Sequence, residues 1–245
     1  MRSKRSVPEA PSLLQKNKSI KRLFCHTATM ESLEKETTVL GKLTFSKDDF
    51  LNLKKKDEKL AKAMEILPFY TRETDEDLFR SLINNIVGQQ ISMKAQETVW
   101  KRFLDYFPAI TPEHIAAATL EEIQSLGISF RKAGYLKGTA EMVLKNEISL
   151  KNLYRLSDEE VIKELVKLPG IGPWTAEMLL IFTMGRKDVL SYGDLAIRKG
   201  LMMLYGHETL TKEIFETYRQ RFSPYGTLAS LYLWEISSGN YTLPE

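Results

Sequence analysis

Residues 166–177 read Val-Lys-Leu-Pro-Gly-Ile-Gly-Pro-Trp-Thr-Ala-Glu, and an aspartate, Asp194, follows after an apolar stretch of helix length. Gly170 and Gly172 allow backbone conformations closed to other residues and let a ligand approach the main chain closely. Pro173 suits the opening of a helix, where its missing N–H costs nothing. Free N–H groups at such a turn and at the following helix N-terminus form an anion site, here suited to a DNA phosphate. Asp194 adds a carboxylate that can steady a sugar cation, or orient and deprotonate an attacking water. Neither task needs a cofactor, and none is expected. Two plainer alternatives stand beside this chemistry. The glycine string can be a tight helix corner with no ligand, and Asp194 can be the N-cap of Asp194-Leu-Ala-Ile-Arg-Lys; capping and catalysis can also coexist.

Those residues need a scaffold. At 245 residues the chain is long enough for one large domain or two small ones with a real core. Leu, Lys, Glu, Ala and Met are frequent while Gly and Pro are sparse, which points to a mostly helical protein. No apolar run approaches the roughly 20 residues that span a bilayer. The single cysteine, Cys25, rules out an internal disulfide and any four-cysteine iron–sulfur or zinc site. His26, His114 and His207 show no metal-cage spacing, and Cys25-His26 reads as an unstructured tail pair. Seven basic side chains and one acid crowd residues 1–22, leaving 28 basic and 31 acidic side chains elsewhere. Bulk charge therefore gives no support for nucleic-acid binding; any affinity must come from a local patch and from backbone donors.

Residues 1–40 read as a basic, disordered tail, and residues 41–245 as one helical domain. The segment 52–66 reads as an amphipathic helix ended by Pro68. Leu78, Leu82, Ile83, Ile86 and Val87 share one face of a core helix that Gly88-Gln89-Gln90 breaks. Ser92 then caps a helix in which Val99, Trp100, Phe103, Leu104 and Phe107 face the core. Thr111-Pro112-Glu113 starts a helix, and Thr119-Leu-Glu-Glu122 and Ser157-Asp-Glu-Glu160 form capping boxes. Gly127 fits a helix C-terminus. Helical patterns over 131–145, 157–167, 173–184, 194–205, 211–221 and 225–237 complete an all-α series of roughly ten short helices with short loops.

Residues 166–194 resemble the helix-hairpin-helix base-excision DNA glycosylases, whose signature is this hairpin followed by an aspartate. The resemblance runs through about residues 78–237. Ile86-Val87-Gly88-Gln89-Gln90-Ile91-Ser92 and Arg131-Lys132-Ala133-x-Tyr135-Leu136 are similar to stretches of the alkylpurine, or 3-methyladenine, branch. The resemblance implies an all-α fold with the active-site cleft between two helical subdomains, and Asp194 as the catalytic carboxylate. It implies a DNA-binding surface from Gly170, Ile171, Gly172, Thr175, Gln89, Gln90, Ser92, Arg131 and Lys132, with Gln90 as the wedge that fills the gap left by an extruded base. The glutamines can alternatively just satisfy backbone groups at a helix break. Alkylation makes a purine cationic and attracts it to aromatic faces. Trp174 and Trp234, with Tyr192 and Phe182 as weaker candidates, are the implied base pocket, although Trp234 can equally be core. Side chains supply no metal site; the family's hairpins hold a monovalent cation on backbone carbonyls, here Leu168 and Gly170.

In bifunctional members a hairpin lysine attacks the sugar as a Schiff-base nucleophile; Trp174 holds that place here, so no lyase activity is expected. There are departures. Gly193 stands where some alkylpurine enzymes have a second acid, and Met178 where some have a tyrosine, which bears on substrate range. The expected function is a monofunctional glycosylase acting on 3-methyladenine- and 7-methylguanine-type lesions in double-stranded DNA, as a monomer, away from membranes, inside the cell. A glycosylase for another damaged base and a non-catalytic DNA-binding module remain the alternatives.

Overall fold

The computed structural model describes residues 25–27 and 42–240. Most of the tail expected over residues 1–40 therefore lies outside the described residues. Among the described ones, helices predominate, with one small antiparallel sheet in the order β1-β3-β2 (Cys25–Thr27, Tyr70–Glu73 and Lys42–Leu43). Cys25 and His26, expected in an unstructured tail, pair with Arg72 and Thr71 in that sheet.

The helices form two groups around one continuous hydrophobic core. The first runs from residue 78 to residue 182: α3 (Leu78–Gly88), α4 (Met93–Tyr106), α5 (Pro112–Ala117), α6 (Leu120–Ser125), α7 (Phe130–Leu144), α8 (Leu150–Leu153), α9 (Asp158–Leu165) and α10 (Pro173–Phe182). The second joins α1 (Lys47–Lys56) and α2 (Glu58–Ile66) to α11 (Leu195–Tyr205), α12 (Lys212–Phe222) and α13 (Gly226–Ser237). The chain crosses from the first group to the second between α10 and α11, and Asp194 sits at that crossing.

The caps fall where the side-chain chemistry puts them. Ser92, Thr119, Ser157 and Asp194 each accept hydrogen bonds from first-turn N–H groups, and the Thr119–Glu122 and Ser157–Glu160 boxes are complete. Gly127 takes φ +109 after α6, as expected of a glycine ending a helix.

The segment 52–66 is not one helix. Asp57 breaks it, closing α1 with extended backbone and capping α2 through Leu60 N–H at 2.8 Å. Its second oxygen meets Arg221 of α12 at 2.8 Å, so the break ties the N-terminal helices to the C-terminal ones. Asp57 falls on the buried face between Leu53 and Leu60 and is itself buried, so it interrupts the apolar stripe where the helix breaks. Leu104, assigned to the core, is 50% exposed, while Val99, Phe103 and Phe107 are buried.

Helix α11, which carries Asp194 at its head, packs closely across α13. Gly200 makes this possible: a Cβ there would run into the Leu233 carbonyl, a backbone atom that cannot swing aside. Gly200→Ala should therefore force the helices apart and destabilise the fold by about 1–3 kcal/mol, the usual range for overpacking. Denaturant midpoints check this, and an unchanged midpoint would show that the crossing relaxes freely.

Candidate active site

The hairpin between α9 and α10 is built by Leu168-Pro169-Gly170-Ile171-Gly172. Ile171 is buried, its N–H donating to the Leu168 carbonyl at 3.1 Å, so it staples the two helices from inside and presents no side chain outward. Gly170 has φ +81, and Tyr135 of α7 presses on the face where a Cβ would stand. Glycine is thus required there twice, by conformation and by space. Gly172 is the N-cap of α10 and no side chain caps the helix. Pro173 lacks an N–H, and the first helical bond runs from Ala176 N–H to the Gly172 carbonyl at 3.0 Å. Trp174 and Thr175 supply the first-turn N–H groups, the arrangement that favours an anion. The Thr175 side chain is itself buried, so any ligand contact falls to its backbone.

Asp194 is only 4% exposed, between the exposed Gly193 and Leu195. Its Oδ1 accepts from Ala196 N–H at 2.8 Å and Ile197 N–H at 3.0 Å, capping α11. Its Oδ2 accepts from the Trp174 indole N–H at 3.0 Å. Capping and the other role expected of Asp194 are therefore compatible: one oxygen is committed to the helix, and the other is held from α10. The positive end of the α11 dipole adds to the grip on a carboxylate. Among the described residues, no group of three or more His, Cys, Asp or Glu side chains could hold a metal.

The aromatic candidates separate. Trp174 reaches Asp194. Phe182 and Trp234 stack on each other, centroids 5.7 Å apart, and Trp234 is buried among core residues of α13. One face of Tyr192 is covered by the Arg198 guanidinium at 5.1 Å, and its ring meets Phe215 at 73°.

The turn after α3 is coupled to the hairpin. Gln89 Nε2 donates to the Gly170 carbonyl at 2.7 Å, and Lys132 Nζ donates to the carbonyls of Val87 (2.8 Å) and Gln89 (2.6 Å). Lys132, expected on the DNA-binding surface, donates here to carbonyls at the C-terminal end of α3; burial, helped by nearby Arg131, pushes its ammonium below the usual lysine range. Arg131 stays exposed beside it. Gln90 is exposed with φ +60, a left-handed conformation rare outside glycine and asparagine, so its side chain is thrust off the tip of the turn. Ser92 Oγ accepts from Ala95 N–H at 3.3 Å, capping α4, and keeps its own O–H as a donor. Leu168 and Gly170, the carbonyls expected at a monovalent cation, each already accept one hydrogen bond and keep one lone pair.

Sequence reasoning assigned no role to Glu177, Ser191, Tyr135 or Phe130. Glu177 follows Trp174 by three residues and so shares its helix face, a spacing that could have been read. Phe130 is 56% exposed at the head of α7, outside the buried face of that helix.

Residues 83–224 match the family described as HhH-GPD superfamily base excision DNA repair protein. The chain is 37% identical over 174 residues to DNA-3-methyladenine glycosylase 1 of Schizosaccharomyces pombe, covering 68% of this chain and 75% of that protein. A DNA-3-methyladenine glycosidase from Bacillus halodurans superposes with a TM-score of 0.73 at 28% identity, covering 82% of this chain and 96% of that one. The S. pombe glycosylase Mag1 in complex with abasic DNA superposes with a TM-score of 0.68 at 32% identity, covering 80% and 99%.

The bonds of Lys132 give a direct test of its role. Lys132→Met should leave two carbonyls short of a donor and cost about 1–3 kcal/mol of stability. The salt dependence of DNA binding should keep its slope. A slope reduced by about one unit, with stability unchanged, would instead put Lys132 on a phosphate.

Proposed function

The chain belongs to the HhH-GPD superfamily of base excision DNA repair proteins, and we propose that Asp194, held by Trp174 beside the glycine hairpin, is its catalytic carboxylate. The protein is a monofunctional DNA glycosylase that hydrolyses the N-glycosidic bond of alkylated purines. The observation that carries the assignment of the site is the Asp194 carboxylate itself. It lies just beneath the surface at the junction of the two helix groups, one oxygen locked by α11 and the other by an indole N–H rather than by a cation.

The steps follow from that geometry. The hairpin N–H groups of Trp174 and Thr175 take a phosphate of the lesion strand. Gln90, projecting from its left-handed turn, enters the stack as the target nucleotide swings out. Gln89 and Lys132 keep that turn fixed to the hairpin, so the grip on the backbone and the wedge act as one body. A purine alkylated at N3 or N7 is cationic and leaves with the bonding electron pair, so the positive charge passes to the sugar. The Asp194 carboxylate stabilises that charge. It also accepts a proton from the water whose oxygen bonds to the anomeric carbon, leaving an abasic site and the free base. The Trp174 ring lies in this neighbourhood and offers an aromatic face to a cationic base. A tryptophan has no amine for a Schiff base, so the sugar is not attacked by the protein. Acting on DNA, the enzyme works inside the cell, in the nucleoid of a bacterium or the nucleus or an organelle of a eukaryote, and as a monomer.

Incubation with methylated DNA should release free 3-methyladenine or 7-methylguanine, seen by chromatography, with no borohydride-trappable adduct. Asp194→Asn should lower release by about 10²–10⁴-fold while DNA affinity persists. If the variant worked at the wild-type rate, the carboxylate assignment would fail. Trp174→Phe keeps the ring and removes the indole donor; single-turnover rates should drop roughly tenfold, the worth of one hydrogen bond to a charged group.

A further inference from the structure

Trp174 and Glu177 stand one turn apart on the same face of α10, and both reach the turn that presents Asp194. Trp174 holds Asp194 directly. Glu177 accepts a hydrogen bond from the Ser191 hydroxyl. Ser191 is fully buried, and its carbonyl accepts from Asp194 N–H at 3.3 Å. The turn 191–194 is therefore fastened to α10 at both ends, by an indole at the carboxylate and by a carboxyl at the serine.

Between them lies Gly193, where nothing in the backbone demands glycine. A Cβ there would rest at ordinary contact distance, 3.5 Å from Trp174 Cβ and 3.7 Å from Ser191 Oγ. No side chain at 193 intervenes between the Glu177–Ser191 pair and Asp194.

We propose that Glu177 is a positioning carboxyl of the active site: through Ser191 it fixes the turn that aims Asp194, and its own negative charge strengthens the potential that steadies the sugar cation. The proposal rests on Asp194 being the catalytic carboxylate.

The charges facing Glu177 set when that second charge is present. Burial pushes its carboxyl up from the usual glutamate range; the Ser191 hydroxyl pulls it down, the Asp194 carboxylate on α11 pushes it up again, and Arg219 on α12 pulls it down, for a net rise. Arg219 is itself paired with Glu216 at 3.2 Å. A cation forming on the sugar attracts the ionised form more than the neutral one, so the transition state favours charged Glu177. The rate must then rise with pH as Glu177 loses its proton.

Single-turnover release of methylated purine, measured against pH with thermal melting and DNA affinity alongside, tests this on wild type, Glu177→Gln, Ser191→Ala and Asp194→Asn. The wild-type rate should climb by about three- to tenfold through the Glu177 ionisation, the scale of a like-sized charge interaction in a partly solvated site. Glu177→Gln should flatten that climb and stay near the rate of the acid limb, with DNA affinity unchanged. Ser191→Ala removes a donor that favours the charged carboxyl, so it should move the climb to higher pH. If Glu177→Gln keeps the wild-type profile, or Ser191→Ala leaves it in place while Asp194→Asn is inactive, the role of Glu177 is overturned and that of Asp194 stands. Should Glu177→Gln fail to fold, the direction of the Ser191→Ala shift decides alone. Wild-type activity in Asp194→Asn would instead remove the catalytic assignment on which the proposal rests.

Discussion

A carboxylate withdrawn from water has to be fully paired, and this requirement organises the site. Asp194 is nearly buried, and removing it from solvent costs several kcal/mol unless donors replace the lost water. Two of its donors come from its own helix, whose start it caps. The third, the Trp174 indole, comes from the other helix group. The position of the acid is therefore defined by the packing of α10 against the head of α11, not by either helix alone. The glycine crossing of α11 and α13 extends the same constraint into the core, since a shift of α11 would carry the acid with it.

A second set of bonds organises the side proposed to meet DNA. The turn after α3 is tethered to the hairpin by Gln89 and to α7 by Lys132, while Tyr135 of α7 presses on Gly170. Three segments far apart in sequence thus become one rigid edge, with Gln90 projecting from it in a conformation that costs energy. Strain of this kind persists only where the surroundings over-determine it, and here two flanking residues, Gln89 and Ser92, are each committed to a hydrogen bond.

The parts of the molecule governed by neighbours in sequence were legible. The capping boxes, the glycine after α6, the proline opening α10 and the buried faces of α3 and α9 each follow from contacts within a few residues. The break at Asp57 was not, because its stabilising partner, Arg221, lies 164 residues away. The bonds of Lys132 were hidden for the same reason, since its reach to Val87 and Gln89 spans more than forty residues. Leu104 had the period of a core residue, but it is half exposed because no element among the described residues buries that side of its helix.

Sequence alone determined the helical class and the glycine hairpin, since each depends on residue type and short spacing, and it singled out Asp194 as the carboxylate proposed for the chemistry. It also separated lysine-based chemistry from hydrolysis, through the tryptophan that follows the second glycine by two places. Tertiary structure decided what each candidate side chain touches. Folding turned Trp174 toward Asp194, stacked Trp234 on Phe182, covered a face of Tyr192 with Arg198 and brought Glu177 to Ser191. Those outcomes depend on which helix faces meet, and hydrogen bonds between residues distant in the chain leave no periodic trace in it.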